Sequence, residues 1–116
     1  MIRWKVFEEK NGLPLFLYHG VNGDRKVPLN VWVKAEYKEV VDGSGQKPYL
    51  SAFHVFKDKT ALIKWLTSLK KKKNRCAVKV STGMVKDKKS SKYSMLTGKI
   101  RLSKKEWDKR IPLEEE

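Results

Sequence analysis

The chain has 116 residues, 40% of them hydrophobic, and a formal net charge of +14. A single cysteine, Cys76, excludes an internal disulfide, and with His19 and His54 the only histidines no Cys/His metal cluster can be assembled. No apolar run approaches the ~20 residues of a membrane span, and the start, with Glu8 and Glu9, lacks the apolar region of a signal peptide; one cytoplasmic domain over 1–113 with an acidic tail at 114–116 is expected.

In chain order, Ile2 to Glu9 alternates, with Ile2, Trp4 and Val6 on one side and Arg3 and Lys5 on the other, the pattern of a half-buried strand. Asn11-Gly12 is a hairpin turn, and Leu13 to His19 reads as the partner strand. Val27 to Tyr37 is ambiguous and is taken as a short irregular or helical segment followed by extended chain. Asp42 to Pro48 is a loop. Tyr49 to Phe56 is dense enough in apolar residues to be a central strand buried on both faces.

The clearest helix spans about 58–71. Asp58 is placed to cap it, and Ala61, Leu62, Trp65, Leu66 and Leu69 form one apolar stripe. Cys76 to Val80 is the next strand. Ser81 to Met95 is polar and basic and reads as a long mobile loop, and Leu96 to Leu102 as a last strand. Ser103-Lys-Lys-Glu106 is a capping box opening a short helix through Arg110 that Pro112 stops. The expected fold is α+β: a mostly antiparallel sheet of about five strands with one main helix and a short C-terminal one.

The charge is unevenly placed. Residues 70–110 hold 16 Lys/Arg against 3 Asp/Glu, whereas residues 1–69 hold 11 against 7. Such a segment repels itself unless a polyanion is near. Lys70, Lys71, Lys72, Lys73 and Arg75 form one basic run, and Lys86, Lys88, Lys89 and Lys92 a second. Lys99, Arg101, Lys104 and Lys105 extend the field. Lysines of this kind suit phosphates rather than base edges, and Tyr93 could stack on a base. No zinc-finger spacing, helix-turn-helix or aromatic signature of an RNA-recognition sheet is present. DNA or RNA, alone or in a nucleoprotein complex, is the expected partner. The alternative is an acidic protein, with Trp32, Trp65 or Trp107 as anchors if exposed.

Catalytic groups are sparse. His54 on a strand and Cys76 after Arg75 both read first as structural residues, and Ser81-Thr82-Gly83 lacks the spacing of a phosphate loop. No cofactor is implied by the residues, and a binding protein is expected rather than an enzyme.

Gly12 to Phe16 (GLPLF), Val27 to Glu36 (VPLNVWVKAE), Tyr49 to Phe56 (YLSAFHVF) and Cys76 to Val80 (CAVKV) together resemble a family of small bacteriophage and prophage proteins, over about residues 12–80. Asn30 and Ala52 stand where glycine is usual in that family. The resemblance implies a phage accessory protein, with modulation or inhibition of a host nucleic-acid-handling or defence system as the role, in the host cytoplasm. It carries no activity. Leu17 to Gly20 (LYHG) followed by Gly45 to Phe53 (GQKPYLSAF) is more distantly similar to ADP-ribosyltransferases. That likeness implies a nucleotide pocket of His19, Tyr49, Phe53 and His54, inactive because no glutamate lies between Lys47 and Lys105.

Overall fold

A computed structural model of the chain describes residues 1–17, 25–35, 39–40, 49–50, 52–66, 74–87 and 94–113. The centre of the fold is an antiparallel pair, β1 (Ile2–Lys10) and β7 (Arg75–Thr82), in register from Ile2↔Ser81 to Glu8↔Arg75. β1 turns through Asn11 (φ 53°) and Gly12 (φ 79°) into β2 (Leu13–Leu15). Two consecutive left-handed residues match the twist of a tight hairpin, and Asn-Gly enters that region at lowest cost.

The remaining strands are β3 (Trp32–Lys34), β4 (Glu39–Val40), β5 (Tyr49–Leu50), β6 (Phe53–Phe56), β8 (Val85–Asp87), β9 (Ser94–Thr97), β10 (Lys99–Arg101) and β11 (Ile111–Pro112). Among the described residues the main sheet has nine strands, in the order β3-β10-β7-β1-β6-β9-β8, with β2 also on β1 and β11 also on β7. β4 and β5 form a separate two-stranded sheet.

The α+β, mostly antiparallel character expected from the sequence holds, but the sheet is larger than five strands. The differences are local. The segment from Val27 is irregular rather than helical, and the extended chain expected after it includes the strand Trp32–Lys34, which pairs with β10. The stretch read as a mobile loop contains β8 and the start of β9, which pair with each other from Val85↔Thr97 to Asp87↔Met95. The expected last strand is two, β9 and β10, broken at Gly98. The expected central strand is likewise two, β5 and β6, in different sheets.

Alternation along β1 and β7 sends side chains to two faces. On one face Phe7, Cys76, Val78 and Val80 join Phe53, Val55 and Ile100 in the main core, covered by Phe16, Val27, Leu102 and Trp107. Val33 and Val85, on the two edge strands, both pack against this core, so the sheet curves around it. Phe16 stacks on Phe53 at 5.3 Å and 12°. Trp107 meets Phe7 edge-on at 6.4 Å and donates its Nε1–H to the Gly12 carbonyl at 2.9 Å. That bond pins the short C-terminal helix α2 (Lys104–Trp107) to the β1–β2 turn. Ser103 caps α2 through the Glu106 N–H, as the capping box predicts, but the helix ends at Trp107 and the chain returns to the sheet as β11.

On the other face α1 (Lys59–Leu66) lays Leu62 against Val6, Phe56 and Ala77, with Trp65 on Phe56 at 5.1 Å. Its Asp58 cap accepts the Ala61 N–H at 2.8 Å. The expected extension to residue 71, including Leu69, lies outside the described residues. Nothing in the described helices is long and apolar enough to cross a membrane.

The polar side of β1 is the reverse of the sequence reading. Lys5, expected to face water, is 8% exposed in the main core. Its Nζ donates to the His54 carbonyl at 2.9 Å and sits 5.7 and 5.6 Å from the Phe7 and Phe53 ring centres. Burial pulls its pKa down to about 7.

Candidate nucleic-acid interface

Helix α1 covers only part of its face. Beyond it, no described helix packs over the ends of β1, β7, β10 and β3, which leave an open half among the described residues. The register aligns one row across these strands: Ile2, Ser81, Arg101 and Trp32. Four strands at a spacing of about 4.8 Å make this row about 14 Å wide. The neighbouring row on one side pairs Trp4 with Lys79, and that on the other pairs Lys99 with Lys34.

Trp32 is 48% exposed and Ile2 57%. The Lys99 ammonium sits 4.9 Å from the Trp32 ring centre, and the Lys79 ammonium 5.6 Å from that of Trp4. Trp4 also packs against the core under α1, whereas Trp32 belongs to neither core among the described residues. Gly83 helps place Lys99: a Cβ there would stand 3.0 Å from the Lys99 Cγ and Cε, so its absence lets the lysine stem lie close.

Strands β3, β7 and β10 contain no Asp or Glu. The two glutamates of β1 lie at its far end, where Glu8 pairs with Arg25 and Glu9 with Arg110. Lys34, Lys79, Lys99 and Arg101 thus share one end of a face whose described strand carboxylate, Glu8, lies at the other end, paired with Arg25. An exposed indole among such cations can offer a stacking surface and phosphate contacts together.

Of the residues singled out from sequence, Lys99 and Arg101 lie on this face. Lys86 shares the face parity but sits on β8, the opposite edge. Arg75 is half-buried and opposite Glu8 in the register. Lys104 and Lys105 are on α2, which packs on the Phe7 side, and Lys104 is bonded to Asp108 at 3.0 Å. Lys70, Lys71, Lys72, Lys73, Lys88, Lys89, Lys92 and Tyr93 lie outside the described residues.

Sequence reasoning did not group Lys34, Lys79 and Trp4 with this site. The available signal was period-two spacing: Trp32 and Lys34 alternate about Val33, and Lys79 sits between Val78 and Val80. Only the pairing register shows that these positions share a face.

Of the expected nucleotide pocket, Phe53 and His54 are described. Phe53 is buried against Phe16, and strand alternation turns His54 to the opposite face. His19 and the Tyr49 side chain lie outside the described residues. Cys76 is buried, its Sγ 3.7 Å from the Phe7 carbonyl, and burial raises the thiol pKa to about 12, so it has little thiolate at neutral pH. Among the described residues no group of His, Cys, Asp and Glu is arranged to hold a metal.

In comparisons with known proteins, no family model, no curated protein and no solved structure matches this chain.

Proposed function

We propose that this protein is a small phage-type accessory protein that binds nucleic acid, alone or in a nucleoprotein complex. It does so through a basic surface that includes the open half of the sheet. The observation that carries this reading is the cluster of Lys34, Lys79, Lys99 and Arg101, on three strands that contain no Asp or Glu, beside an exposed Trp32. A chain of net charge +14 adds a long-range attraction for phosphates. The lysines at 70–73 and 86–92 contribute to that net charge.

The phage-family reading rests on the sequence resemblance. One local feature supports it: Asn30, where glycine is usual, has φ 63°, a left-handed conformation that glycine and asparagine both tolerate. Modulation of a host nucleic-acid-handling or defence system follows from that origin.

Binding to labelled oligonucleotides across a salt series tests the proposal. Affinity should fall steeply with salt, and a Lys34/Lys79/Lys99→Gln triple variant should lower the log–log slope by about 2–3. A Lys105/Lys109→Gln control should lower it less. Absence of binding at low salt would refute the reading. The alternative, docking on an acidic protein, is favoured by the exposure of Trp32. A complex anchored by that aromatic should survive salt that releases an oligonucleotide.

A further inference from the structure

We infer that the open half of the sheet takes a single-stranded nucleic acid, with a base stacked on Trp32. This rests on the nucleic-acid reading above and specifies the form of the ligand.

Three observations lead there. First, Trp32 sits on an edge strand of three residues, 48% exposed. A side chain of this size exposes costly apolar surface, which a stacked base would cover. Second, cations stand in the row of Trp32 and in the rows on both sides of it, with Lys99 4.9 Å from the ring centre. Arg101 is directly opposite Trp32, Lys99 and Lys34 form the row on one side, and Lys79 lies in the row on the other. The phosphates on either side of a stacked base need cations on both sides of the aromatic.

Third, the shape disfavours a duplex. Reading a duplex groove calls for an inserted helix or β-ribbon. In this half of the face the described residues supply only short strands lying within the sheet. Base faces inside a duplex are stacked on each other and unavailable to an indole, whereas a single strand presents them. The row from Ile2 to Trp32 is about 14 Å wide, room for a few nucleotides.

The experiment compares full-length protein with Trp32→Ala and Trp32→Phe against oligothymidine, oligouridine and a mixed-sequence duplex at one salt concentration. Circular dichroism melting confirms that each variant folds. The wild type should favour the single strands. W32A should weaken single-strand binding about tenfold or more while leaving duplex binding and the salt slope unchanged, and W32F should retain most of the affinity. Equal affinity for the duplex, or a W32A variant that binds single strands like the wild type, would overturn the inference while leaving the nucleic-acid reading standing. Failure of the wild type to bind any of the three at low salt would overturn both. The thymidine and uridine arms separate DNA from RNA as the preferred strand.

Discussion

Two tryptophans mark two differently built regions of one sheet. Trp107 is 3% exposed, edge-on to Phe7, with its indole N–H satisfied by the Gly12 carbonyl. Trp32 is 48% exposed, with the Lys99 ammonium 4.9 Å from its ring centre. On the closed face the aromatics are buried against one another, and the cations beside them, Lys5 at Phe7 and Phe53 and Arg110 4.6 Å from the Trp107 ring centre, meet rings already covered by the core. On the open half the cations flank aromatics that still face water. The first arrangement stabilises the fold. The second leaves apolar and charged surface in water, and its natural complement is a ligand with flat faces and negative charge.

The sharpest way to break the closed region is Trp107→Ala, which removes a buried indole and its hydrogen bond together. A loss of about 3–5 kcal/mol is expected from urea unfolding. Lys5→Met should act in the opposite direction. It replaces a buried cation that has no carboxylate partner among the described residues, and a gain of about 1–4 kcal/mol near neutral pH is expected.

That gain should depend on pH. The Lys5 pKa is lowered in the folded state, to about 7 from 10.5. Between these values the unfolded chain binds the proton and the folded chain releases it, so wild-type stability rises with pH across the window. Below about 7 both states carry the proton and the penalty is complete. The advantage of K5M should therefore be largest at and below pH 7 and shrink towards pH 10.5. Unfolding curves for both proteins across this range check the sign; an advantage that grows with pH would contradict the burial of a charged Lys5.

Asn30 joins the regions, since its Oδ1 accepts the Lys104 N–H at 3.0 Å at the start of α2 and its chain leads into β3. Asn30→Ala loses this cap and strains a left-handed backbone. A cost of about 1–2 kcal/mol is expected by thermal or urea unfolding, with Asn30→Gly recovering part of it. The smallest effect on stability should come from Trp32→Ala, within about 0.5 kcal/mol, because the side chain supports neither core. A large destabilisation there would make Trp32 a structural residue and remove the contrast.

Much of the fold is legible where the cause is local. Asn11-Gly12 states its turn, Asp58 and Ser103 state their helix starts, and the alternating residues around Val78 state a strand. β8 is not legible, because Val85–Asp87 lies among lysines and serines and becomes a strand only by pairing with β9. Lys5 is misread for a related reason. Period-two alternation separates the sides of β1, but both are covered where Val6 and Phe7 sit, and the pattern does not say which cover is deeper. The candidate interface is half legible: Lys99 and Arg101 stand out in a basic segment, whereas Lys34 and Lys79 are single cations inside apolar strands. Their grouping depends on pairings between residues far apart in the chain.

The four tryptophans, Trp4, Trp32, Trp65 and Trp107, allow the central claim to be tested within one sample. The measurement is the indole N–H signal of each in 15N-labelled protein as a short single-stranded oligonucleotide is added. Trp32 should shift most and Trp4 less, while Trp107, sealed against Gly12, and Trp65, packed on Phe56 beneath α1, stay in place. A Trp32 signal that does not move while the oligonucleotide binds would place the interface elsewhere and contradict a binding role for the open face.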